Sequence, residues 1–187
     1  MSAKNIDHNR KVIFLHPNKC GGKSVEFILF NRENVAGSAD HRFPSEFIRD
    51  FGSACWNEYF KFGFARNPWD RVFSIYNYRI KNLKQIDFGF SDFILHKASP
   101  YSIDYDQQIK WFYWSNKPID FIGKVETYQQ DWDSIRDRLD CDIDLPHLNK
   151  SERTHYSNYY NAETKDAVYK IFNDDIKTFG YEFEDIK

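Results

Sequence analysis

Two stretches of this 187-residue chain gather the residue types that hold phosphate-like anions. The first is His16-Pro17-Asn18-Lys19-Cys20-Gly21-Gly22-Lys23-Ser24. Its glycine pair lets the backbone approach a ligand closely and take positive φ. Lys19 and Lys23 bring charge. Ser24 brings a hydroxyl donor at the start of an expected helix, whose first N–H groups are unpaired and carry partial positive charge. The second stretch is Phe64-Ala65-Arg66-Asn67-Pro68-Trp69-Asp70-Arg71-Val72-Phe73-Ser74-Ile75-Tyr76. Arg66 has the planar fork of donors that grips a phosphate at two points, and Ser74 can donate to the same group. Arg71 is read as the partner of a carboxylate, Asp70 or Asp131.

The elements that must position these residues follow from hydrophobic periodicity. Lys11–His16 is an apolar run suited to a buried strand, and a helix is expected over Ser24–Phe30. The first stretch is therefore a strand-to-helix loop. Arg42–Phe51 reads as a second helix. Tyr59–Ala65 alternates, with Phe60, Phe62 and Phe64 on one face. It ends at Arg66, at the carboxyl end of a strand, where open α/β sheets bind ligands. Pro68 suits the first position of a helix running to about Asn82. Further helices are expected over Ser91–Lys97, Asp131–Leu139 and Ala162–Phe179, and a strand over Ile119–Val125. In the last helix Val168, Ile171, Phe172, Ile176 and Phe179 form one apolar stripe, closed by Gly180. Strands alternating with helices predict a parallel sheet with helices on both faces.

Composition narrows the function classes. A length of 187 residues fits one domain, 1–187. A net charge of -2 argues against a nucleic-acid or membrane-surface binder. The charge is uneven: residues 1–80 carry 12 Lys and Arg against 8 Asp and Glu, and the remainder carries 14 against 20. The basic part suits a small anion. Cys20, Cys55 and Cys141 have no metal-ligand spacing and an odd count, which fits a reducing compartment. No run is apolar and long enough for a transmembrane segment, and the chain is read as cytoplasmic. Asn149-Lys150-Ser151 matches a glycosylation sequon, a triplet common by chance.

Gly22-Lys23-Ser24 also matches the end of a phosphate loop of ATP-dependent kinases. The first glycine of that pattern would fall at Pro17, and the strand that should end in a magnesium-binding carboxylate ends in Arg66. A kinase acting on a small molecule with ATP and magnesium stays open as an alternative, and so does a non-catalytic nucleotide-binding module.

The two stretches together resemble the family-2 sulfotransferases that use 3'-phosphoadenosine-5'-phosphosulfate (PAPS), a group that includes carbohydrate sulfotransferases. In that family a loop written roughly HIPKTGGTS binds the 5'-phosphosulfate, and F-x-x-x-R-N-P-x-x-R-x-x-S-x-Y binds the 3'-phosphate. Further matching pieces are Asp120–Glu126, His147–Ser151, Tyr159-Tyr160 and Phe179–Phe183, so the resemblance covers nearly the whole chain. It implies a P-loop-NTPase-like three-layer α/β fold, a central parallel sheet flanked by helices. Asn18, Cys20 and Lys23 depart from the pattern: two hydroxyl donors are lost and one ammonium is gained.

The resemblance also implies roles. PAPS is the co-substrate, no metal is used, and the partner is a hydroxyl-bearing acceptor, a saccharide by the family's habit. Lys19 stabilises the leaving oxygen, and Cys20, Gly21, Gly22, Lys23 and Ser24 hold the phosphosulfate. Arg66 and Ser74 hold the 3'-phosphate, so that two separate anion sites grip opposite ends of one nucleotide. Lys150, Ser151 and Arg153 belong to a late loop of the kind that covers the nucleotide. His41 is the candidate base, its ordinary pKa of about 6.5 suiting neutral pH. Asp40 would orient it or act in its place, and His16 is the weaker rival. Gln107, Gln108 and Trp111, with Trp114 beside them, fall where relatives bind the acceptor.

Overall fold

Val12–Leu15 is buried along its whole length, and a strand without a wet face needs neighbours on both sides. The computed structural model, which describes residues 5–30, 40–81, 88–97, 106–145 and 154–186, supplies them. In chain order the elements are β1 (Ile6–Asp7), β2 (Val12–Leu15), α1 (Gly22–Phe30), α2 (Pro44–Glu58), β3 (Phe60–Ala65), α3 (Pro68–Lys81) and α4 (Phe90–Asp92). A π-helical turn at Phe93–Lys97 continues α4. Then come α5 (Ile109–Phe112), β4 (Tyr113–Trp114), β5 (Lys117–Pro118), β6 (Phe121–Lys124), α6 (Tyr128–Ile135), α7 (Ala162–Ile171) and α8 (Asn173–Phe179).

The chain divides into two compact units, Met1–Ala65 with Lys110–Lys150, and Arg66–Ile109 with Ser151–Lys187. The first holds a sheet in the order β1-β2-β3-β6. β2, β3 and β6 are parallel, and β1 runs antiparallel at the edge. Phe14 pairs with Phe62, and Phe64 with Gly123. The expected alternation holds: Phe62 and Phe64 are fully buried with Phe60 against them. They meet Val25 and Leu29 of α1 and Trp132 and Ile135 of α6. Each large apolar side chain so buried contributes about 1.5–3 kcal/mol.

The second unit packs α3, α4 and its π turn, α7 and α8 around one core, with Trp69, Phe73, Phe93 and Phe172 at its centre. Asn161 and Thr164 cap the start of α7 reciprocally, at 2.8 and 3.0 Å.

Some elements differ from the expected ones. The single helix over Ala162–Phe179 is two, broken at Phe172 (φ −110°, ψ 27°), whose side chain is wholly buried. Gly180 closes the second piece in the left-handed region, as expected. The second helix extends past Phe51 to Glu58 because Gly52 (φ 83°) permits a kink rather than a stop. The strand over Ile119–Val125 shortens to β6, since Val125 begins a 3-10 turn. The helix expected from Asp131 starts earlier, at Tyr128. β1 and the β4–β5 hairpin carry no clear sequence signal. The hairpin turns on Ser115 and Asn116, both at positive φ and without the usual glycine.

Gly63 is the tightest point of the sheet. A Cβ there would lie 2.5 Å from the Leu15 carbonyl oxygen and 2.5 Å from the Phe112 ring. Backbone cannot yield as a side-chain tip can. Gly63→Ala is expected to cost about 3 kcal/mol or more in urea unfolding. An unchanged midpoint would show that the sheet opens at this position at little cost.

Candidate active site

In the first unit the loop between β2 and α1 is shaped by two left-handed residues, Lys19 (φ 62°) and Gly21 (φ 75°). Lys19 pays about 1–2 kcal/mol for that conformation, which persists only where the surroundings impose it. They do so from several sides. Cys20 N–H reaches the Pro17 carbonyl at 3.3 Å, and Ser24 N–H reaches Gly21 O at 3.3 Å. The Tyr128 hydroxyl of α6 donates to Gly21 O at 2.9 Å, while its ring stands edge-on to Phe64. Lys23 is exposed and Lys19 partly so; Cys20 and Ser24 are buried.

The two glycines have different reasons. Gly21 needs its positive φ. Gly22 is required by a neighbour: a Cβ there would sit 2.1 Å from His16 Nε2. The close approach is thus made by an imidazole of the chain itself.

That imidazole organises a buried cluster. His16 Nδ1 lies 3.1 Å from Glu26 Oε1, and both side chains are buried. The His16 ring stacks on Phe14 and lies 4.7 Å from the His41 ring. His41 Nδ1 is 2.7 Å from the His16 carbonyl oxygen. A carbonyl only accepts, so Nδ1 carries the hydrogen and the neutral ring keeps its lone pair on Nε2. Trp111 Nε1 donates to the His41 carbonyl at 2.9 Å, and its ring packs on Phe43 at 4.5 Å.

Several site expectations change here. Asp40 does not orient His41 through its carboxylate; Arg42 occupies that carboxylate through Nε (2.8 Å) and Nη2 (2.5 Å). The His16 carbonyl does the orienting. Trp111 is fully buried and spends its indole N–H on the backbone of His41, so it supports the histidine rather than offering a face to an acceptor.

In the second unit Arg66 follows β3 directly. Its Nε and Nη2 donate to Asp70 Oδ2 at 2.9 and 2.6 Å. Asp70 is therefore a partner of Arg66, and the charge of Arg71 acts on the carboxylate of Asp175. Arg71 is completely buried; Nη1 donates to the Asp106 carbonyl at 2.8 Å, and its guanidinium lies over Phe172. Asp131 instead accepts the Lys124 N–H and the Thr127 hydroxyl. Ser74 is half-buried on α3, one turn beyond Asp70. Gln107 gives its carbonyl to the Asp174 N–H at 3.1 Å. Gln108 is fully buried, with its amide on the backbone of Arg66. The sequence offers no signal for this second use of Gln108 or for the buried Asp175 beside it.

Asn149, Lys150, Ser151 and Arg153 lie outside the described residues. Among the described residues no three His, Cys, Asp or Glu side chains gather as a metal site requires, and no helix is long and apolar enough to cross a membrane.

A family model described as the sulfotransferase family matches residues 4–182. No curated protein and no solved structure matches.

Burial, reinforced by the His16 ring, pushes His41 from 6.5 down to about 4. The unfolded chain therefore binds a proton at His41 that the folded chain refuses between those two pH values. Stability falls as pH drops from about 6.5 to about 4, by up to roughly 3 kcal/mol. His41→Gln should narrow the difference between urea titrations at acid and neutral pH. An equal difference in both proteins would mean that the buried ring titrates normally.

Proposed function

The chain belongs to the sulfotransferase family and thus to the enzymes that transfer sulfuryl groups, and we propose that its donor is PAPS and its acceptor a hydroxyl of a saccharide. The family generally uses that donor. The observation that carries the reading is the tautomer of His41: a buried, neutral imidazole, held by a carbonyl at Nδ1, with its lone pair left on Nε2.

In this reading the acceptor hydroxyl gives its proton to His41 Nε2 as its oxygen attacks the sulfur of the donor. The bond from sulfur to the bridging oxygen breaks. Negative charge gathers on that leaving oxygen, where the Lys19 ammonium stabilises it. The products are a sulfate ester, 3'-phosphoadenosine-5'-phosphate and a protonated His41, which returns its proton to water. A base of pKa about 4 is weak, but the anionic donor raises it when bound, since a neighbouring negative charge favours the protonated ring.

Gly21, Gly22, Lys23, Cys20 and Ser24 are proposed to shape and charge the pocket for the 5'-phosphosulfate. Arg66 and Ser74 are assigned the 3'-phosphate. Asp70 already holds two of the guanidinium nitrogens, so a phosphate would share Arg66 with it. Lys150, Ser151 and Arg153 are assigned to donor binding. Support for a saccharide comes from Trp114, which is 41% exposed on β4 and offers the flat apolar face that sugar rings stack on.

His41→Ala should lower turnover by about 10²–10⁴-fold with little change in affinity for 3'-phosphoadenosine-5'-phosphate. Near-normal turnover would move the base elsewhere. Lys19→Ala should cost about 3 kcal/mol of transition-state energy, roughly 10²-fold in kcat. Melting with the bisphosphate, and separately with ATP and magnesium, tests the donor class. At 100 times its dissociation constant a true ligand adds about 2.7 kcal/mol, a rise of several degrees. A rise with ATP and magnesium alone would overturn the reading in favour of a kinase.

A further inference from the structure

Gln108 and Asp175 have no exposed surface, yet both are polar. Burying an amide and a carboxylate is costly unless each finds partners. Their partners are specific. The Arg66 N–H donates to Gln108 Oε1 at 2.8 Å, and Gln108 Nε2 donates to the Arg66 carbonyl at 2.9 Å. One planar amide thus grips both hydrogen-bonding groups of one residue, as a neighbouring strand would. Gln108 is anchored in turn: its backbone N–H reaches Asp175 Oδ2 at 2.7 Å and its Nε2 lies 3.3 Å from the same oxygen. The Ile109 N–H reaches Oδ1 at 2.8 Å. Burial pushes the Asp175 carboxyl up, opposed by these N–H groups and by the charge of Arg71. A methionine of the same length would fill the space of Gln108 without an amide to satisfy. What it could not do is fix the Arg66 peptide at two points.

We infer that Gln108, backed by Asp175, is a positioning residue for Arg66: the amide sets the backbone and Asp70 sets the guanidinium, so that the arginine meets an anion already aimed. The inference rests on the assignment of Arg66 to the donor's 3'-phosphate. It takes Gln108 away from acceptor binding and gives it to the donor.

The test is a double-mutant cycle read by calorimetric titration with 3'-phosphoadenosine-5'-phosphate. Gln108→Met, which loses both bonds and keeps the volume, should weaken binding about tenfold, as loss of about 1.4 kcal/mol does. The same change in an Arg66→Ala background should add less than about twofold, because its effect passes through Arg66. The donor KM should rise while kcat at saturating donor stays within about twofold. Wild-type affinity in Gln108→Met, beside a clear loss in Arg66→Ala, would overturn the inference alone. An undiminished loss in the Arg66→Ala background would also overturn it, by showing general damage. Normal binding by Arg66→Ala would instead overturn the assignment of Arg66, and the inference with it. Should Gln108→Met fail to fold, Asp175→Asn, of equal volume, serves in the same cycle. It is expected to weaken binding about threefold with Arg66 present and not without it; an equal loss in both backgrounds would overturn the inference.

Discussion

The imidazole of His16 lies where the side chain of residue 22 would begin, and most of the candidate site depends on that contact. The ring can enter only because Gly22 has no Cβ. Once there it reaches Glu26 on the same helix that Gly22 opens, so the loop ends are joined through a histidine rather than through the backbone alone. The ring also meets the His41 ring, and the carbonyl of the same residue fixes the hydrogen of His41. One residue therefore sets the path of the loop, the start of the helix and the chemistry of the proposed base. The cost is a buried histidine–carboxylate pair, which is tolerated because each partner satisfies the other.

Arg66 illustrates a different balance. An arginine waiting for an anion in a partly buried place would be expensive without a counter-charge. Asp70, in the first turn of α3, supplies one and holds the guanidinium plane. In the proposed role of Arg66 the pairing would lower the net charge offered to the donor and raise the order of the group that offers it. Affinity per contact falls, but less rotamer entropy is lost when a ligand arrives.

The sheet was legible in the sequence because its signals are local. Phe60, Phe62 and Phe64 alternate, Val12–Leu15 is uniformly apolar, and Pro68 marks the start of α3. The Gly21-Gly22 loop was legible as a strand-to-helix turn for the same reason. What escaped depends on partners distant in sequence. Nothing near Gln108 says that its amide will meet Arg66, and nothing near Asp175 says that it will be buried at the break after Phe172. The apolar stripe of residues 162–179 suggested one helix, because a stripe reports which side is buried and not whether the axis bends. Asp40 misled for a simpler reason. It precedes His41, but Arg42 is equally near and carries the opposite charge.

The hydroxyl of Tyr128 fastens the carbonyl of Gly21 across 107 positions of the chain. A loop whose shape needs so remote a fastening matures late. On a ribosome, residues 16–24 emerge long before residue 128, and until then the left-handed turn at Lys19 has no support from α6. Such a contact adds to contact order, which across small domains goes with slower folding. The nascent chain therefore lacks this fastening of the loop until residue 128 has been synthesised.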